Sequence, residues 1–314
     1  MAGEDEAGAG DAPLATWLRW VFVGDGGLRP GWSCALYLGM VALMVAVGNW
    51  LAESLHLGEL WSQMFGEFGL LVAAMIPALV MRRIEGKPWG AYGLPLRGAF
   101  SRLFWVGVVW GFVAITVLLE ILHGLHAFDF GHVVLNARGV VKFGIFWGVL
   151  FLLVGLFEEF LARGYLQFTL TRGVGFWPAA VLLSAAFGLS HLQNPGEAWT
   201  GELAAGFIGL FFCLALRRTG SLWFAVGFHA AWDWGESFFY SVPDSGAVSP
   251  GHLLSSSLHG SRWITGGSVG PEGSLVCFFV IAAVWVGFGW IYPEVRYGAG
   301  LEKSLTQRTQ RITG

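Results

Sequence analysis

The sequence predicts an all-α, polytopic membrane protein with about eight transmembrane helices, and three observations carry that prediction. Of its 314 residues 55% are hydrophobic and only 12% charged, about half the charged share with which a soluble domain coats its surface. Apolar windows long enough to cross a hydrocarbon layer about 30 Å thick recur along nearly the whole chain. The 47 glycines and 17 tryptophans suit helices packed closely in lipid with aromatic belts at the interfaces.

Taken in order, the acidic start (Glu4, Asp5, Glu6) reads as a short solvated tail. Leu14–Val23, apolar and aromatic around Arg19, reads as an amphipathic helix on the cytoplasmic face. A cleavable signal peptide would need a basic start followed at once by an apolar run, so the first span is expected to remain as an anchor. The expected spans are Trp32–Leu51, Ser62–Met81, Leu103–Leu122, a long Phe143–Arg172, the short Trp177–Leu192 and Gly201–Leu216, then Ser221–Tyr240 and Ser274–Tyr292. The Ser/Gly-rich residues 241–273 are expected to form a flexible outer loop. Cys34, Cys213 and Cys277 lie far apart in apolar stretches, which excludes a disulfide framework.

Lys and Arg give an independent reading of orientation, because cytoplasmic loops hold the excess. With both termini in the cytoplasm, 15 of the 18 fall on that side, and only Arg138, Lys142 and Arg262 on the other. The expected organisation is a cytoplasmic N-terminal segment (1–31), a transmembrane helical domain (32–292) with its functional core at about 140–240, and a cytoplasmic tail (293–314). Partners follow from composition: a lipid bilayer, and no nucleic acid, since the net charge of −3 leaves no basic surplus.

An ionisable residue in mid-span costs roughly 2.5–3.5 kcal/mol on insertion scales, so a cluster of them points to function. Three places qualify: Glu158-Glu159 with Arg163, Phe187 with His191, and His229 with Asp233. Residues four apart share a helix face and adjacent ones diverge by about 100°. Glu159 can therefore pair with Arg163 while Glu158 points elsewhere, and Asp233 can hold the His229 imidazole in one tautomer or stabilise its protonated form. Counted at 1.5 Å per residue from the basic-side ends of their spans, Glu158 and His191 both lie about 21 Å deep, and His229 and Asp233 about 12 and 18 Å. A carboxylate and two imidazoles meeting at that level can orient and deprotonate a water, directly or through a divalent metal. Glu67, Glu120 and Glu236 are expected near wetted outer ends of spans, and His123, His126 and His132 in a solvated loop.

The three motifs, EExxxR, FxxxH and HxxxD in that order over residues 158–233, resemble the signature of the CAAX-processing and bacteriocin-processing intramembrane proteases, a family similar to the type II CAAX prenyl endopeptidases. The resemblance implies a glutamate-dependent or metallo-endopeptidase acting on a membrane-associated protein or peptide. Glu158 would activate water, His191 would help hold it or a metal, and His229 with Asp233 would stabilise the oxyanion. Glu159 and Arg163 would support the geometry. If a metal is used, Glu158, His191 and His229 would suit zinc. The resemblance also implies a prokaryotic inner membrane. The family's usual Asn at the last position is Asp233 here, and an ionised carboxylate cannot donate to an oxyanion. The alternative is a non-proteolytic membrane protein, either a proton-coupled transporter or a peptide-binding scaffold, using the same buried Glu/His cluster.

Overall fold

The computed structural model describes residues 17, 21–24, 27–88, 90–193 and 199–297. Every expected span falls on a helix. A short β-pair (Val23–Gly24 with Gly27–Leu28) leads into α1 (Pro30–Leu55), which packs against α2 (Glu59–Ile84). α3 (Arg102–Gly124) follows, then α4 (Ala137–Glu159), which runs through a π-helical turn (Phe160–Tyr165) into α5 (Leu166–Val174). Next come α6 (Phe176–Ser190), α7 (Trp199–Thr219) and α8 (Trp223–Asp233), the last extended by a second π-helical turn (Trp234–Phe239). The outer loop contains the one-turn α9 (Arg262–Thr265) and ends in α10 (Leu275–Ile291). Among the described residues five helices are long and apolar enough to cross a membrane on their own: α1, α2, α3, the continuous 137–174 and α7. α6 and α10 are apolar but shorter.

The apolar exterior agrees with a lipid solvent, for Leu43 and Trp50 on α1, Val109 on α3, Ile145 on α4, and Phe279 and Trp290 on α10 all stand exposed. The protein is an integral membrane protein. Inside, α3 and α8 make the closest helix contact. A Cβ on Gly107 or Gly111 would run into the carbonyl oxygens of Phe224 or Phe228, and one on Gly227 into that of Phe104. Small residues let backbones approach in this way where no hydrophobic effect drives helices together. The α3–α8 pair is thus a rigid wall for the functional core.

Two expectations change, and a third falls mostly outside the described residues. The outer loop is packed rather than a loose tether: Ser257–Leu258 pairs with Phe128–Asp129, Leu253 donates its N–H to the Phe238 carbonyl, and Trp147 Nε1 donates to that of Pro250 at 3.1 Å. Its Val242, Ser249, Thr265 and Val269 are buried, so it holds a small core of its own against the outer helix ends. Arg163, which the charge count placed with the cytoplasmic residues, is fully buried inside the helical body. Of the expected interfacial helix Trp17 and Val21–Phe22 are described as helical and Val23 as the start of the β-pair; residues 14–16 and 18–20, like tail residues 298–314, lie outside the described residues.

On the Lys/Arg-rich side Glu85, just past α2, accepts hydrogen bonds from Tyr165 (2.8 Å), Arg172 (3.0 Å) and Tyr92 (3.1 Å). These bonds fasten α5 to the α2 end below the π-helical turn and fix how α4 presents its last residues.

Candidate active site

The site starts from two neighbouring glutamates at the end of α4. Because successive helical residues diverge, Glu158 turns to a cavity with 28% of its side chain exposed, whereas Glu159 is sealed at 0%. Arg163, also at 0%, places Nη1 3.0 Å from Glu159 Oε1, as the four-residue spacing predicts. A buried guanidinium needs more than one carboxylate. Here the Phe187 ring lies 4.2 Å from its central carbon and that of Phe212 5.8 Å, both positioned for cation–π contact. Phe187 therefore links two motifs, since its ring also meets His191 edge-on at 4.8 Å. The guanidinium lies over Gly209 of α7, where any Cβ would collide with Nη2.

His229 enters from α8. Its Nδ1 lies 3.0 Å from Glu159 Oε1, and an ionised carboxylate only accepts, so Nδ1 carries a proton. Nε2 faces Glu158 Oε2 at 3.7 Å and Asp233 Oδ2 at 3.5 Å. Asp233 thus meets the ring four residues on, as expected, and the carboxylate within hydrogen-bond distance of the other nitrogen is Glu159, across the helix interface. The Phe212 ring stacks on the imidazole at 5.9 Å and 19°.

His191 is not inside its span. It opens the 3₁₀ turn after α6, and its Nδ1 meets the Phe187 carbonyl at 2.8 Å, which leaves Nε2 for other partners. Ser190 lines the same cavity, and its hydroxyl bonds back to the Phe187 carbonyl at 2.7 Å.

Glu158, His191, His229 and Asp233, from three separate helical segments, line one cavity of about 440 Å³. Glu67 of α2 lines its opposite wall, with Asp244 and Glu272 of the outer loop. Glu236, expected to be wetted, is fully buried and accepts from Trp232 Nε1 at 2.7 Å. Asp244 lies outside the helices, and burial, reinforced by the Glu272 charge, pushes its carboxyl up to about 7.

The residues do not gather as the expected zinc site requires. Among the described residues the one group of three such side chains with ligand atoms within 4.8 Å of one another is Glu236, Asp244 and Glu272; Glu158, His191 and His229 are not so gathered. His229 has already committed Nδ1 to Glu159 and His191 its Nδ1 to Phe187, so each imidazole offers one nitrogen.

Gly209, Asp244 and Glu272 belong to the site's surroundings without having been singled out in the sequence. Gly209 carries no signal, being one glycine of an apolar helix. The two acids lie in a stretch whose Ser/Gly composition reads as a tether.

The helical body thus brings a carboxylate and two imidazoles to one shared internal cavity. Residues 140–235, which hold all three motifs, match the family model described as Type II CAAX prenyl endopeptidase Rce1-like. For that segment the match establishes the resemblance that the motifs carry, and it supports an intramembrane CAAX-type protease. No curated protein and no solved structure matches the chain.

Proposed function

We propose that the protein is an intramembrane endopeptidase that hydrolyses a peptide bond of a membrane-associated protein or peptide with a water activated by Glu158. The observation that carries this reading is the unequal treatment of the two glutamates. Glu159 is tied to Arg163 and to His229 Nδ1, while Glu158, 3.7 Å from His229 Nε2, opens to the cavity.

In this reading a water sits within reach of both Glu158 Oε2 and His229 Nε2. Glu158 takes one of its protons as the oxygen attacks the scissile carbonyl carbon. The same proton passes to the leaving nitrogen as the C–N bond breaks, and the water's other proton stays on the attacking oxygen, giving a new carboxylic acid and an amine. Glu159 acts as a positioning residue that keeps the Nε2 lone pair aimed at the water. His191 offers Nε2 to the same cavity. Since Glu159 already fixes the imidazole, Asp233 is free for another role, and in its acid form it donates to the developing oxyanion.

The test is cleavage of a membrane-anchored peptide by the purified chain in nanodiscs, made up in ¹⁸O-water. Direct attack by water places one labelled oxygen in the new carboxyl group during a single turnover. Failure to cut any peptide of a prenylated and unprenylated panel, together with solute uptake in proteoliposomes, would replace the protease by a transporter.

A further inference from the structure

Outside the proposed catalytic set, the structure holds three carboxylates where an apolar environment should discourage them. Glu236 lies within the helical turn that extends α8, Asp244 follows in the first turn of the outer loop, and Glu272 sits in the 3₁₀ turn ahead of α10. One oxygen from each lies within 4.8 Å of the other two. Their hydrogen-bond partners are neutral. Trp232 Nε1 donates to Glu236 Oε2 at 2.7 Å, and Ser237 Oγ to Asp244 Oδ2 at 2.8 Å. Ser245 donates to Glu272 Oε1 from its backbone N–H (2.7 Å) and its hydroxyl (2.9 Å). These bonds aim the carboxylates without neutralising them, and none of the ion pairs among the described residues uses any of the three.

A second observation points to a missing ligand. Glu236 is fully buried and its Oε1 has no hydrogen-bond partner. That oxygen faces the loop segment carrying the third carboxylate, for a Cβ on Gly270 would lie 3.3 Å from it. A buried acceptor without a donor costs about 1–3 kcal/mol, and more when charged. A cation among the three acids would remove that cost along with their mutual repulsion.

We propose that Glu236, Asp244 and Glu272 form a binding site for a hard divalent cation, Ca²⁺, that fastens the outer loop to the helix carrying His229 and Asp233. The donor set is all oxygen, which suits Ca²⁺ rather than zinc. Oxygens 2.3–2.6 Å from one ion stand at most about 5 Å apart, so the observed spacing can close on it with little movement. Asp244 and Glu272 also line the cavity reached by Glu158, so the ion sets the position of the cavity's outer wall.

The experiment uses the full chain in nanodiscs, stripped with EGTA and then titrated with CaCl₂ alone, with bound Ca²⁺ counted by equilibrium dialysis and Tm recorded at each point. One Ca²⁺ per chain and a rising Tm are expected for the wild type and equally for Glu158→Gln, which separates this site from the catalytic proposal. Glu236→Gln and Glu272→Gln should each weaken Ca²⁺ at least tenfold. In EGTA their Tm should match or exceed that of the wild type, because a charge has been removed from an unneutralised cluster, and this also shows that they fold. No Ca²⁺ bound by the wild type at about 10 mM, ten times the weakest range of natural calcium modules, would overturn the site in favour of carboxyls that share protons. Unchanged binding by both variants would overturn it as well.

Discussion

At the floor of the cavity the buried carboxylate of Glu159 has Arg163 at 3.0 Å and the His229 ring at 3.0 Å, with aromatic faces closing around the cation. At the outer rim Glu236, Asp244 and Glu272 crowd together with only indole, hydroxyl and amide donors. Burial is thus made tolerable in two ways. The floor brings its counter-charge on the same helix and holds its geometry at any pH where a carboxylate is ionised. The rim carries none of its own, so its state depends on what the surroundings supply, a proton or a cation. A fixed floor suits a group that must orient an imidazole, and a dependent rim suits a wall that can respond to conditions.

The sharpest way to break this contrast is to remove the floor's cation. Arg163→Met leaves Glu159 buried and unpaired, and about 3–5 kcal/mol of stability should be lost, read as a fall in Tm together with loss of cleavage. A smaller loss is expected from Gly209→Ala, where the new Cβ meets the guanidinium: about 1–3 kcal/mol, with cleavage reduced although Gly209 is not part of the proposed catalytic set. A Gly209→Ala protein with unchanged Tm would mean that the guanidinium moves aside freely.

At the rim the sign of the pH effect is the test. The Asp244 carboxyl, about 7 in the folded chain against about 3.9 unfolded, holds its proton in the fold where the unfolded chain has lost it. Its contribution is therefore greatest at low pH and is lost as pH rises from about 4 to about 7. In EGTA, Tm should fall over that window, and Ca²⁺ should flatten the fall. The smallest effect belongs to Asp233→Asn. The amide donates whatever the pH, so cleavage should stay within about tenfold of wild type. The wild-type rate should decline at high pH as the acid form is lost, and the variant should not follow it. A Asp233→Asn protein as inactive as Glu158→Gln would remove the oxyanion role.

Much of the site was legible because helical spacing is geometry. The four-residue step from Glu159 to Arg163 gave their pair, the divergence of adjacent residues separated Glu158 from Glu159, and rise per residue placed three motifs at one depth. Spacing within a helix is silent about contacts between helices. It gave Asp233 as a partner of His229 and missed Glu159, which reaches that ring from α4, seventy residues earlier. The π-helical turn at Phe160–Tyr165 left no trace in the helical spacing, and neither did the need for glycine at position 209. The outer loop was misread for a compositional reason: its serines and glycines serve as caps, donors and tight turns, which a linker and a packed loop share.

The central claim is the division of labour between two adjacent carboxylates, and it is tested most directly by Glu158→Gln and Glu159→Gln compared side by side for peptide cleavage and Tm. The account predicts that Glu158→Gln keeps the wild-type Tm and loses cleavage by about 10²–10⁴-fold, while Glu159→Gln, which strands Arg163, loses both. A Glu158→Gln protein that cleaves at the wild-type rate would contradict it.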